Sequence, residues 1–159
     1  MIFYGTIGSL HATYDTESGE FISKSNRRFG KKLGWINDSG YVVISVGNGV
    51  AHRAHRLAWY FVHGHLPAND IDHINGVRTD NRLSNLREAT RAENMQNTKT
   101  HHRDNKAKLA GVSCVKGKYW FSRICHHGVI SHLGSFDSPE KAHQAYLDAK
   151  KRLHPFYAK

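Results

Sequence analysis

Four side chains in the middle of the chain have types and spacing that suit chemistry on a phosphate: Asp72, His73, Asn85 and Asn94. Magnesium-like ions prefer oxygen ligands, and need only one or two from the protein when a substrate supplies phosphate oxygens. The Asp72 carboxylate and the Asn94 amide oxygen fit that role. A neutral imidazole takes a proton from water near pH 7, and His73 fits that role once its tautomer is fixed. The side-chain carbonyl of Asn85 is a candidate for fixing it.

The elements that must position these groups follow from local signals. Asn75-Gly76 marks a turn, and Thr79–Ser84 is polar and reads as a loop. Leu86–Ala89 has the length of a short strand. Thr90-Arg91-Ala92-Glu93 is a capping box that starts a helix near Arg91. Asn94 and Asn97, three apart, then project from one helical face. The order is strand, loop, strand, helix.

This stretch resembles the HNH nucleases, the ββα-metal (His-Me finger) group, in their phage and intron homing form. The matching pieces are Asp72-His73-Ile74-Asn75-Gly76, Asp80-Asn81, Asn85-Leu86-Arg87 and Glu93-Asn94-Met95-Gln96-Asn97. The resemblance implies a homing-type endonuclease that hydrolyses phosphodiester bonds in double-stranded DNA. It implies Asp72 and Asn94 as ligands of one Mg²⁺ or Mn²⁺, His73 as general base and Asn85 as its orienting partner. Asn97 also matches and suits a cap or a DNA contact. The rival expectation is a DNA-binding regulator that keeps the fold and does not cleave; a second is an RNA-binding module.

Composition agrees with a polyanionic partner. The 159 residues carry a formal net charge of +10 and a pI of about 9.8. Residues 1–98 hold 11 Lys+Arg against 9 Asp+Glu, a balance of +2, and the rest of the chain carries the other +8. No run of about 18 apolar residues suggests a membrane span, and the start lacks the pattern of a secretory signal. Cys114 and Cys125 form no C-x-x-C pair and read as strand residues in a reducing compartment. A cytoplasmic location is therefore expected, the host's if the chain is phage-encoded. The expected state is a monomer or a DNA-induced dimer.

Tyr14–Phe21 reads as two short strands about a glycine turn, followed by a basic patch of Lys24, Arg27, Arg28, Lys31 and Lys32. Tyr41–Val46 and Val50–Ala54 flank Gly47-Asn48-Gly49, a hairpin signal. Leu57–His63 reads as a short core-packing helix ended by Gly64 and Pro67. Similar His-Arg-Leu-Ala-Trp segments precede the catalytic motif in phage HNH nucleases; here it is His55 to Trp59. Arg53 is a candidate DNA contact, and His55 and Arg56 fit either DNA contacts or structural hydrogen-bond partners. His63 and His65 have no further histidine or cysteine nearby to complete a tetrahedral zinc set.

Lys99–Lys108 is basic, lacks apolar periodicity and reads as a linker. Beyond it, Val112–Val115, Tyr119–Cys125 and Val129–Phe136 read as strands. Ser138-Pro139-Glu140 opens a helix whose apolar face is Ala142, Ala145, Tyr146, Ala149 and Leu153. This half resembles the APETALA-two (ethylene-response-factor) DNA-binding domain in Gly111-Val112, Trp120, Ile124, Leu133-Gly134-x-Phe136 and Ala142-x-x-Ala145-Tyr146. The resemblance implies a three-stranded sheet in the major groove with a helix behind it. Alternation sends Trp120, Ser122 and Ile124 toward the helix. Tyr119, Phe121, Arg123 and Cys125 then face DNA, as does His132 on the third strand, with Lys116 and Lys118 at phosphates. The expected fold is α+β: a nuclease domain over 1–98 with a β-rich N-terminal extension, a basic linker over 99–108, and a DNA-binding domain over 109–159.

Overall fold

The structure, a computed structural model, describes residues 1–97, 105, 107–115, 119–126 and 128–154. The chain divides into two compact units, Met1–Asn94 and Met95–Lys159, of mixed α/β character with small antiparallel sheets. Among the described residues no helix is long and apolar enough to cross a membrane.

The first unit opens with strands β1 (Ile2–Ile7), β2 (Leu10–Asp15) and β3 (Phe21–Ser23), paired in that order. Strand β2 shows period-two burial: Leu10, Ala12 and Tyr14 point inward. Tyr14 stacks on Phe21 with ring centroids 4.8 Å apart, and Phe21 meets Phe61 edge-on at 5.3 Å. A second sheet joins β4 (Trp35–Ile36), β5 (Val42–Gly47) and β6 (Val50–Arg53). Its hairpin turn places Asn48 and Gly49 at φ of 52° and 74°, the left-handed pair that the strand twist favours.

Helix α1 (Ala54–His63) follows directly. Its buried stripe is Ala54, His55, Leu57, Ala58 and Phe61, one face of a 3.6-residue period. Gly64 ends it in the left-handed region, its N–H donating to the Tyr60 carbonyl at 2.8 Å. Strands β7 (Asp70–His73) and β8 (Leu86–Ala89) pair antiparallel, with Asp72 opposite Arg87. Ile71 and Leu86 join the core that Leu57, Phe61, Tyr14 and Ile44 share. Helix α2 (Arg91–Gln96) begins one residue past β8. Its capping box is reciprocal: the Thr90 N–H donates to Glu93 Oε2 at 2.8 Å, and the Glu93 N–H to Thr90 Oγ1 at 3.3 Å.

In the second unit β9 (Val112–Val115), β10 (Tyr119–His126) and β11 (Val129–Phe136) form a sheet in the order β11-β10-β9, packed on α3 (Pro139–Leu153). Ser138 caps α3 by accepting the Lys141 N–H at 3.2 Å. Ser122 and Ile124 are buried with Ala142 and Ala149 of the helix, while Tyr119, Arg123, Cys125 and His132 are exposed. Gly111 has φ +76°, and a Cβ there would collide with the Tyr146 ring at Cδ2 and Cγ. Gly111→Ala should cost this unit about 2–3 kcal/mol, combining left-handed strain with displacement of a packed ring. Faster amide exchange along β10 than in the parent chain is the readout.

Candidate active site

Strand β7 is the platform. Successive residues of a strand face opposite ways, so Asp70 and Asp72 share one face while His73 projects from the other. On the carboxylate face Asp72 meets the cross-strand Arg87, whose Nε and Nη2 both donate to Oδ2, at 3.0 and 2.7 Å. The pair is largely enclosed, with side chains 7% and 23% exposed, and the guanidinium compensates a carboxylate that burial would otherwise penalise. Two residues back, Asp70 Oδ2 accepts the Asn94 Nδ2 donor at 3.4 Å. The first turns of α2 thus reach the carboxylate face of β7. The Asn94 side-chain oxygen has no hydrogen-bond partner among the described residues.

On the other face His73 is buried at 4% exposure. Its ring lies 4.9 Å from that of His55, at 89°, and 6.0 Å from Tyr41. Desolvation lowers its pKa below the ordinary histidine value; the hydrogen bond with Asn81 and the charges of Asp72 and Asp80 oppose that only in part. The imidazole is therefore neutral near pH 7, the state a base requires. Its Nε2 lies 3.2 Å from Asn81 Oδ1.

The loop between β7 and β8 is fastened from inside. Asn85 accepts the Asn75 N–H at Oδ1 (2.9 Å) and donates Nδ2 to the Asp80 carbonyl (2.8 Å). Asp80 is held at a pKa of about 2, chiefly by Arg82, whose Nε and Nη2 donate to its two oxygens at 2.8 and 2.6 Å.

Two sequence expectations change here. Asn85 clasps the loop backbone, and it is Asn81 that meets the His73 ring. His55, at 3% exposure, is too buried to touch a phosphate. It packs behind His73, and Arg56 donates Nη1 and Nη2 to the carbonyls of Asn69 and Pro67, each at 3.0 Å. Of the two, Arg56 makes structural hydrogen bonds, whereas His55 packs through ring contacts and its buried Nδ1 has no hydrogen-bond partner among the described residues. Arg53 is exposed and lies over the Tyr41 ring at 4.5 Å. Asn97 is buried. Lys116 and Lys118 lie outside the described residues; Phe121 is half-buried on its strand. Sequence reasoning missed Asp70, although alternation from Asp72 placed it on the same face. It also missed Asn81, which sequence alone could not separate from Asn85.

His55 makes a pH prediction. Desolvation first, then the charges of His73, Arg53 and Arg56, push its pKa down to about 3. Between that value and about 6.5 the unfolded chain binds a proton that the folded chain does not. Stability of residues 1–94 should therefore fall as pH drops from about 6.5 toward 3. His55→Phe should flatten that part of a curve of denaturation midpoint against pH.

Residues 52–96, from the end of the second sheet through α2, match the family model of the HNH endonucleases. No curated protein and no solved structure matches the chain. The matched segment contains Asp72, His73, Asn81, Asn85 and Asn94, and it supports a nuclease-type function with DNA as substrate.

Proposed function

We propose that the chain is a metal-dependent endonuclease of the HNH homing type, with β7, β8 and α2 as a ββα-metal unit and His73 as general base. The observation that carries this reading is the return of Asn94 to the carboxylate face of β7, 3.4 Å from Asp70 and one strand repeat from Asp72. It brings the Asn94 amide to the carboxylate face of the strand that carries the neutral imidazole on its other face.

The donor set fits a hard cation. The Asp72 carboxylate and the Asn94 amide supply hard oxygen donors of the kind Mg²⁺ accepts when a substrate provides the remaining oxygens. Asp72 and Asn94 would hold one Mg²⁺ or Mn²⁺, whose chemistry there is Lewis-acid stabilisation of the phosphorane-like transition state and the leaving 3′-oxygen. His73 takes the proton of a water whose oxygen forms the new bond to phosphorus. The P–O3′ bond breaks, leaving 5′-phosphate and 3′-hydroxyl ends.

We assign the second unit, with its net charge of +8, to duplex binding. Its exposed Tyr119, Arg123 and His132 share one sheet face, and Arg123 pairs with His132 across β10 and β11. Binding through phosphates should weaken steeply with salt. The test is supercoiled plasmid incubated with and without chelator. Nicking that requires the cation supports the enzyme; tight binding with no cleavage under any divalent cation leaves a non-cleaving regulator.

A further inference from the structure

The N-terminal sheet lies outside the segment that matches the nuclease family, yet it holds the loop beside His73. The Tyr14 hydroxyl donates to the Asn81 carbonyl at 2.7 Å in a buried contact 67 residues apart in sequence. The Leu83 N–H donates to the Thr16 carbonyl at 3.0 Å. Gly19 abuts the same loop: a Cβ there would lie 2.5 Å from Arg82 N and 2.6 Å from Asn81 C. Burial pushes the Tyr14 pKa up, so its hydroxyl stays a donor at any working pH.

Asn81 is oriented at both ends. Its Nδ2 donates to the Thr79 carbonyl at 3.3 Å, which turns Oδ1 toward His73. An amide oxygen only accepts. The nitrogen facing it, Nε2 of His73 at 3.2 Å, must therefore carry a hydrogen, and in the neutral ring the lone pair is on Nδ1. Asn85 is not available for this, since both ends of its amide bind loop backbone.

We propose that Asn81 is the positioning residue that sets the tautomer of His73, and that the N-terminal sheet, through Tyr14, is what keeps Asn81 in place. The proposal rests on the nuclease reading for its consequence, because only a base needs its lone pair on a chosen nitrogen. It gives residues 1–23 a part in the chemistry without any contact to substrate.

The tautomer is read directly by ¹⁵N chemical shifts of the imidazole nitrogens in the full chain, with His73 assigned from the spectrum of His73→Gln. The wild type should show the Nε2–H form. Asn81→Leu removes the acceptor and should give a mixture or the Nδ1–H form, with kcat down about 10- to 100-fold and DNA affinity nearly unchanged. Asn81→Asp keeps an acceptor and should restore Nε2–H. Tyr14→Phe keeps the ring packing and should shift the tautomer part of the way. A wild-type Nδ1–H form, or an Asn81→Leu spectrum like the wild type, overturns the proposal. Should Asn81→Leu not fold, the wild-type and Tyr14→Phe spectra decide it, a tautomer unmoved in Tyr14→Phe removing the sheet's part. Absence of cation-dependent nicking beside a wild-type Nε2–H spectrum would instead overturn the nuclease reading and leave the tautomer assignment standing.

Discussion

His73→Ala should lower plasmid nicking by about 10²- to 10⁴-fold, the range for losing a positioned general base. The loss should appear in kcat with duplex affinity retained, since His73 is buried against Tyr41, His55 and Asn81 and offers little surface to the duplex. Its pH profile gives a second readout in the parent protein. Because desolvation lowers the His73 pKa, the neutral, active form persists below the ordinary value, and the acid limb of kcat/KM should lie under about pH 6.5. An acid limb above that value, or an alanine variant that nicks like the parent, would remove His73 from the reaction. Circular dichroism on the same samples separates lost chemistry from lost fold.

Gly19→Ala should be strongly damaging although it lies far from the site in sequence. The residue has φ +73°, a region that costs an L-residue about 1–2 kcal/mol. The atoms that a Cβ would meet are backbone atoms of Asn81 and Arg82, which cannot rotate away as a side-chain tip would. Strain and displacement together should cost on the order of 3 kcal/mol or more, near the upper end for a single substitution. The displaced loop also carries Asn81, so nicking at a temperature where the variant remains folded should fall as well. A denaturation midpoint within error of the parent would show that the N-terminal sheet does not brace this loop.

How far the chain was readable depended on whether its signals were local. The bounds of β8, the start of α2 and the cap of α3 follow from short patterns, Leu86–Ala89, Thr90 to Glu93 and Ser138-Pro139, and each stands where those patterns put it. The alternation of β10 likewise sent Ser122 and Ile124 inward and Arg123 outward. Strand β1 was not legible, because its pairing with β2 is a tertiary outcome and its residues alternate only between exposed and half-buried. His55 was ambiguous for a related reason. Arginines at 53 and 56 suggested an outer face, whereas the helical period through Ala54, Ala58 and Phe61 carries His55 inward with them. Two asparagines four residues apart look alike in sequence. Only the fold shows that one binds backbone at both ends while the other meets an imidazole.

The reciprocal bonds between Thr90 and Glu93 have a consequence for the angular phase of α2. They fix where the first turn begins, and so the direction in which the fourth helical residue leaves the axis. Each residue added to a helix turns it by about 100°. One residue inserted between Glu93 and Asn94 would keep the cap, every functional group and every strand, yet swing the Asn94 amide a quarter-turn or more away from Asp70. The count of residues from cap to amide is thus as much a part of the site as the side chains themselves.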